Sequence, residues 1–386
     1  MSSRLGDRYR TPAALVHEKR LVRGWGFDYG RPCGASETAM KLSPANKLSL
    51  YARAGRNALG LLGWKTHPPA IIWVLTQRCF YECVHCDSWR DERPIDGEAL
   101  LRIADKIVAS GTKIVALSGG EPFMVKRLPE IVSRLTRAKK IVTINTNGHL
   151  LEEHAEWLVD EGVDHVQVSI DGHTAALHDG IRRQRGSLEK ILRGIDVLKA
   201  KRRERTPRIS VCGVLMKENA AHLAEFVDRF SRVADAVEFQ PLHESPGLLA
   251  TSAAAPFVAG DRALVERQLA AVIARDPSFA SDYYRSIPRF LFEPESMGHF
   301  AVDHCLPMIF NTLTIRENGA CRICRYPLGE SIHAKSIGEI WNVPARWALY
   351  RSLARDGCGE PCWIRCHIEP SPLPGRVLRK VVEALG

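Results

Sequence analysis

Between residues 70 and 242, short β-branched runs alternate with stretches of helical period. The runs are IIWVL (71–75), KIVALS (113–118), KIVTIN (140–145), HVQVSI (165–170), ISVCGVL (209–215) and AVEFQ (236–240), and their length and composition predict strands. Asp96 is placed to cap a helix with Leu100, Ile103, Ala104, Ile107 and Val108 on one face, closed by Gly111. Ser187 opens a second, carrying Leu188, Ile191, Leu192, Ile195 and Leu198, and Asn219 a third, carrying Leu223, Phe226, Val227 and Phe230. Six strands with helices between them predict parallel β/α units. Strands that are apolar almost throughout predict a sheet covered on both faces.

Outside this region the rhythm changes. Residues 1–68 are basic and weakly patterned, with NKLSLYARAGRNALGLLG from Asn46 as a candidate amphipathic helix packed on the domain that follows or resting on a membrane surface. Residues 246–304 read as a linker with one helix, DRALVERQLAAVIAR, and residues 305–386 as a cysteine-rich region. The expected layout is therefore an extension (1–68), a β/α core (69–245), a linker (246–304) and a small C-terminal domain (305–386).

Composition narrows the function. The 386 residues include eleven cysteines and carry a net charge of +10. The longest apolar run is PAIIWVL from Pro69, far short of the ~20 residues a spanning helix needs, and MSSRLGDRYR lacks the apolar stretch of a secretory signal, so the expectation is a cytosolic protein. There the cysteines point to metal ligation over disulfides. Nine of the eleven fall within 79–86 and 305–366, leaving Cys33 and Cys212 apart as unligated residues, Cys212 in the core. The positive charge suits an acidic electron-donor protein, and no aromatic/basic interleaving or zinc-finger spacing points to nucleic acid.

The stretch CFYECVHC holds Cys79, Cys83 and Cys86 directly after the first strand, at a strand's C-terminal end. Three thiolates can hold three irons of a [4Fe–4S] cluster and leave the fourth open, the mark of a reactive site. SGGEP (118–122), NTNG (145–148) and SIDG (169–172) follow the next three strands in turn. Each alone is ordinary turn chemistry. Together with the triplet they resemble the radical S-adenosylmethionine (SAM) superfamily. The resemblance implies a partial (β/α)6 TIM-type barrel whose open iron binds the amino and carboxylate groups of SAM. It implies that Gly119 and Gly120 let backbone approach the methionine, and that Glu121 pairs with the ammonium. It places Asn147 and Ser169 near the ribose or methionine end, Arg182 at the carboxylate and His85 beside the adenine.

In the second region, Cys305, Gly319 and Cys324 fall in a C-x13-G-x4-C pattern that, with SIGEIWN downstream, is similar to the start of a SPASM domain, an auxiliary-cluster extension. Only Cys358, Cys362 and Cys366 follow, fewer than the full pattern. The resemblance then implies one auxiliary [4Fe–4S] cluster, as in the shortened twitch domain, held by Cys305, Cys324, Cys362 and Cys366 with Cys321 and Cys358 as substitutes. A four-cysteine zinc site fits the same spacing.

The activity so implied is reductive cleavage of SAM to methionine and a 5′-deoxyadenosyl radical, which takes hydrogen from a substrate, with flavodoxin or ferredoxin as electron donor. The substrate expected is a small molecule, since residues 1–68 do not read as a leader-peptide-binding module. A peptide modified by thioether formation, carbon–carbon linkage or epimerisation is the alternative. An iron–sulfur electron carrier and a zinc-stabilised binding module are the non-enzymatic ones.

Overall fold

The structure, a computed structural model, describes residues 64–243, 254–309 and 311–359. Cys33, the 46–63 segment, Cys362, Cys366 and the side chain of Cys305 lie outside the described residues. Nine strands form one sheet: β1 (Ala70–Thr76), β2 (Ile114–Gly119), β3 (Ile141–Thr146), β4 (His165–Ser169), β5 (Arg208–Leu215), β6 (Ala236–Pro241), β7 (Thr312–Ile315), β8 (Ala320–Ile323) and β9 (Tyr326–Ser331). Their order is β6-β5-β4-β3-β2-β1-β7-β8-β9. The first six run parallel in sequence order, as the pattern predicts, in the open β/α barrel that the resemblance implies. β7 joins β1 in parallel and the β8–β9 hairpin follows antiparallel, so the C-terminal strands extend the barrel's own sheet.

The crossover helices form where apolar residues recur at helical spacing. Helix α1 (Gly97–Val108) starts at Asp96, whose carboxylate accepts from Ala99 N at 2.9 Å, and buries Leu100, Leu101, Ile103, Ala104 and Ile107. Next come α2 (Leu128–Arg137), α3 (Leu151–Asp160), α4 (Ala175–Arg182), α5 (Ser187–Lys201) and α6 (Leu223–Phe230). Asn219 does not cap α6. Its side chain accepts from Met216 N and donates to Asp171 O and Val214 O, so it ties the end of β5 to the end of β4. The 254–309 stretch is more helical than the single helix expected: α7 (Arg262–Arg275) is followed by α8 (Asp282–Arg285), α9 (Ile287–Phe292) and α10 (Gly298–Ile309). After β9 come α11 (Ile337–Trp341), opened by a Ser336/Glu339 capping box, and α12 (Pro344–Asp356).

The two faces of the sheet differ. Toward the helices point Ile71, Trp73, Val115, Leu117, Val142, Ile144, Val166, Val168 and Val211, all wholly buried. Burying each such side chain contributes about 1.5–3 kcal/mol, which makes this layer the main source of stability. The alternate positions face the barrel interior, and from β3 to β6 they are largely polar. Asn145, Gln167 and Ser210 stand in register as one row; Ser169, Cys212 and Glu238 form the next toward the C-terminal edge. A sheet covered on both faces is what the apolar strands predict; the inner face is largely buried too but carries hydrogen-bonding groups, and Cys212 belongs to it.

Candidate active site

The Cys79–Cys86 loop leaves the C-terminal end of β1 and is sewn to its neighbours by backbone. Gly120 N donates to Thr76 O and Glu121 N to Arg78 O, both at 2.8 Å, so SGGE continues the β1–β2 pairing into the loop. Glycine is required by this contact. A Cβ on Gly119, at φ +138°, would lie 2.2 Å from Thr76 O, and one on Gly120 would lie 2.1 Å from Arg78 O. The close approach the glycines permit is that of the cysteine loop itself.

Each of the three sulfurs meets a donor. Cys79 Sγ receives Tyr81 N at 3.5 Å and Asn147 Nδ2 at 3.7 Å. Cys83 Sγ receives Arg182 Nη1 at 3.7 Å. Cys86 Sγ receives Ser88 N at 3.5 Å, and Ser88 Oγ lies 3.3 Å away. Burial pushes the Cys79 thiol up to about 11, and that of Cys83 up as well, so proton loss there accompanies metal binding. Among the described residues no three His, Cys, Asp or Glu side chains are grouped to hold a single ion. The donor set fits a cluster, in which each thiolate takes its own iron.

Two elements hold this loop from outside. Helix α4 grips it through Val84 N to Ile181 O at 3.0 Å and through Arg182, whose Nε is 2.6 Å from Asp171 Oδ2. Asp171, the acid of SIDG, is fully buried. Burial alone would raise its carboxyl, but Arg182 and then His85 hold it below the usual range. Its Oδ1 accepts from Val214 N at 2.8 Å. Tyr81 forms the second anchor: its hydroxyl lies 2.7 Å from Ser187 Oγ and 3.0 Å from His149 Nδ1, and His178 Nε2 lies 3.2 Å from the same serine. Asp171 N donates to His178 Nδ1 at 3.1 Å, so that nitrogen is the acceptor and Nε2 carries the proton. The bonds then run one way, from His178 through Ser187 and Tyr81 to His149. Neither Asp171 nor this chain was singled out from the sequence, whose reading named only Asn147 of NTNG and Ser169 of SIDG.

The expected SAM residues gather at the same edge. Glu121 is wholly buried and accepts from Phe123 N (3.0 Å), Thr146 Oγ1 (2.9 Å) and Asn147 N (2.8 Å). Burial pushes its carboxyl up to about 7 against those donors. It joins GGEP to NTNG. His85 lies 3.9 Å from Asp171 Oδ2, and its buried Nδ1 has no hydrogen-bond partner among the described residues, a fit for a ligand atom there. Ser169 ends β4 on the inner face, and Arg182 is engaged by Asp171 and Cys83. In the second region, Cys358 Sγ lies 3.7 Å from Tyr326 Oη, and Cys324, at φ +51°, acts on the same phenol. Cys321 pairs in register with Ile315, itself opposite Trp73, on the outer apolar face, its thiol donating to Gly319 O.

Comparison with known proteins agrees with this arrangement. Residues 73–230 match the model of the Radical SAM superfamily. An AdoMet-dependent heme synthase from Methanosarcina barkeri is 39% identical over 137 residues, 34% of this chain and 39% of the relative. A probable GTP 3′,8-cyclase from Archaeoglobus fulgidus is 31% identical over 165 residues, 41% of this chain and 54% of the relative. The chain thus spans between about a third and about half the length of these curated relatives. Among solved structures, SuiB from Streptococcus suis superposes in its S-adenosylmethionine-bound form with a TM-score of 0.57 at 15% identity, over 76% of this chain and 71% of SuiB. Its form bound to precursor peptide SuiA gives 0.56 at 14% identity, over 80% and 72%. At that identity the likeness is one of fold.

Proposed function

We propose, for a chain that carries a radical SAM domain over residues 73–230 and is thereby an enzyme, that it abstracts hydrogen from a small polar molecule held inside the barrel. A [4Fe–4S] cluster on Cys79, Cys83 and Cys86 with SAM supplies the reductive cleavage that yields methionine and a 5′-deoxyadenosyl radical. The chain's own contribution is position. Glu121, Thr146 and Asn147 fix the turns around the thiols, while Asp171 and Tyr81 hold the cysteine loop at the mouth of the barrel.

The observation that carries the substrate class is the inner face. The row nearest the thiols is Ser169, Cys212 and Glu238, with Asn145, Gln167 and Ser210 below it. Polar groups lining a barrel need partners in any bound state, so this lining favours a ligand rich in hydroxyl or amino groups over an apolar one. An auxiliary [4Fe–4S] cluster in residues 305–386 is part of the same reading. Its ligands are Cys305, Cys324, Cys362 and Cys366, and of the two substitutes Cys358, whose sulfur lies against the tyrosine on which Cys324 also acts, is favoured over Cys321. Flavodoxin or ferredoxin is the proposed donor. Modification of a peptide is the second reading, favoured by the fold shared with SuiB.

The deciding experiment is anaerobic reconstitution with iron and sulfide, followed by SAM and dithionite, with 5′-deoxyadenosine and iron per chain as readouts. The wild type is expected to form deoxyadenosine with about eight irons, four per cluster. A Cys79/Cys83/Cys86→Ala variant is expected to keep about four and form none. Deoxyadenosine from that triple variant would refute the site. Stimulation by polyhydroxylated or aminated small molecules, lost in Glu238→Gln, supports the substrate class; stimulation by peptides alone supports the second reading.

A further inference from the structure

Arg182 ends α4 with 7% of its surface exposed, and its guanidinium is spoken for on two sides. Nε sits 2.6 Å from Asp171 Oδ2, and Nη1 points at Cys83 Sγ from 3.7 Å. Asp171 cannot swing away, because its other oxygen accepts from Val214 N at 2.8 Å and its own N–H is bound to His178 Nδ1. The acid therefore aims the arginine at the sulfur. His85 Nε2 lies 3.9 Å from the same carboxylate, and the ring of His178 also faces it.

We propose that Arg182, oriented by Asp171, is a positioning residue that sets the reduction potential of the cluster held by Cys79, Cys83 and Cys86, by donating an N–H to the Cys83 thiolate. The inference rests on the cluster reading of that triad. Reduction adds one negative charge to a cluster, and hydrogen bonds and positive charge at its thiolates stabilise the reduced form. A buried guanidinium at hydrogen-bond range of one thiolate raises the potential. The carboxylate behind it partly offsets that charge while fixing its direction. This role needs no SAM, which separates it from a role at the SAM carboxylate.

The two residues thus have opposite signs. Removing the cation in Arg182→Met also leaves Asp171 as an unpaired buried anion beside the cluster, so the potential falls. Neutralising the anion in Asp171→Asn leaves the cation, so it rises. The test is an EPR-monitored redox titration of the reconstituted full-length protein without SAM, with iron and sulfide counted for each variant. The expected result for Arg182→Met is an about tenfold lower ratio of reduced to oxidised cluster at the wild-type midpoint, about 59 mV for a one-electron couple, with Asp171→Asn displaced the other way. If Arg182→Met fails to load iron, Arg182→Lys takes its place, with a smaller fall expected because the charge stays but the fork is lost. Unchanged midpoints, or both variants moving in one direction, would overturn the proposal. A weaker SAM affinity in Arg182→Met with an unmoved SAM-free midpoint would assign the arginine to SAM instead. Wild-type protein with no reducible cluster would remove the underlying reading together with the proposal.

Discussion

Single buried groups set how this protein responds to acid. His178 and His243 are both held down to about 4 by burial, so they stay neutral in the folded chain. The unfolded chain protonates them below about 6.5, so the stability they contribute is present above that pH and is lost as pH falls toward 4. For His178 the structural cause is explicit: protonation of Nδ1 would break the bond from Asp171 N. Glu121, pushed up to about 7, works the other way. The folded chain keeps its proton while the unfolded chain gives it up above about 4.5, so its contribution is present below 4.5 and lost as pH rises to 7. His85 is held down to about 4 by burial as well, so three histidines outweigh one glutamate between pH 6.5 and 4.5 and the urea midpoint is expected to drop on acidification. His178→Gln is expected to make that drop smaller; an unchanged drop would show that the ring does not stay neutral.

At the scale of elements, the cysteine loop is held by fit between backbones. Residues Thr76 to Arg78 and Gly119 to Glu121 run so close that a methyl group has no room, with Gln77 O also 2.3 Å from a Cβ on Gly120. Gly120→Ala must push the cysteine loop away from β2, at a cost of at least the 1–3 kcal/mol of ordinary overpacking. The expected outcome is a folded barrel that no longer loads iron at the first site. Circular dichroism together with iron analysis checks it, and full loading would show that the contact is dispensable. The motif was legible because it recurs at a strand end with two adjacent glycines. Its reason was not, since nothing in SGGEP reveals that Thr76 and Arg78 are what the glycines accommodate. Asn219 makes the same point: a residue suited to cap a helix is used to tie two strand ends.

For the whole molecule, the C-terminal strands are part of the barrel's sheet. β7 pairs with β1 along Ala70–Trp73, and Asn342 exchanges two hydrogen bonds with the backbone of Thr66, at 3.0 and 2.9 Å. Lys106 of α1 donates to the carbonyls of Ile332, His333 and Lys335. Chain ended after Asp303 would leave β1 as a bare edge, an aggregation hazard. Such a truncation is expected to be insoluble, whereas a soluble, monomeric product would mean that the barrel closes without β7. Among the described residues no helix is long and apolar enough to cross a membrane.

The sequence by itself determined what depends on neighbours along the chain. The six barrel strands fall within a residue or two of their β-branched runs, Asp96 starts its helix, and the cysteine triad, GGEP, NTNG and SIDG mark successive strand ends. Those signals are local because strand and helix periods, caps and turns are written over spans of a few residues. Tertiary structure alone decided what depends on register between strands and on which groups meet in the interior. A period of two says that alternate residues face opposite ways, yet only pairing across the sheet lines up Ser169 with Cys212 and Glu238. The same holds for Asp171 behind Arg182 and Cys83, and for Tyr81 on Ser187 and His149. These partners are separated in sequence and brought within hydrogen-bonding range only by the fold.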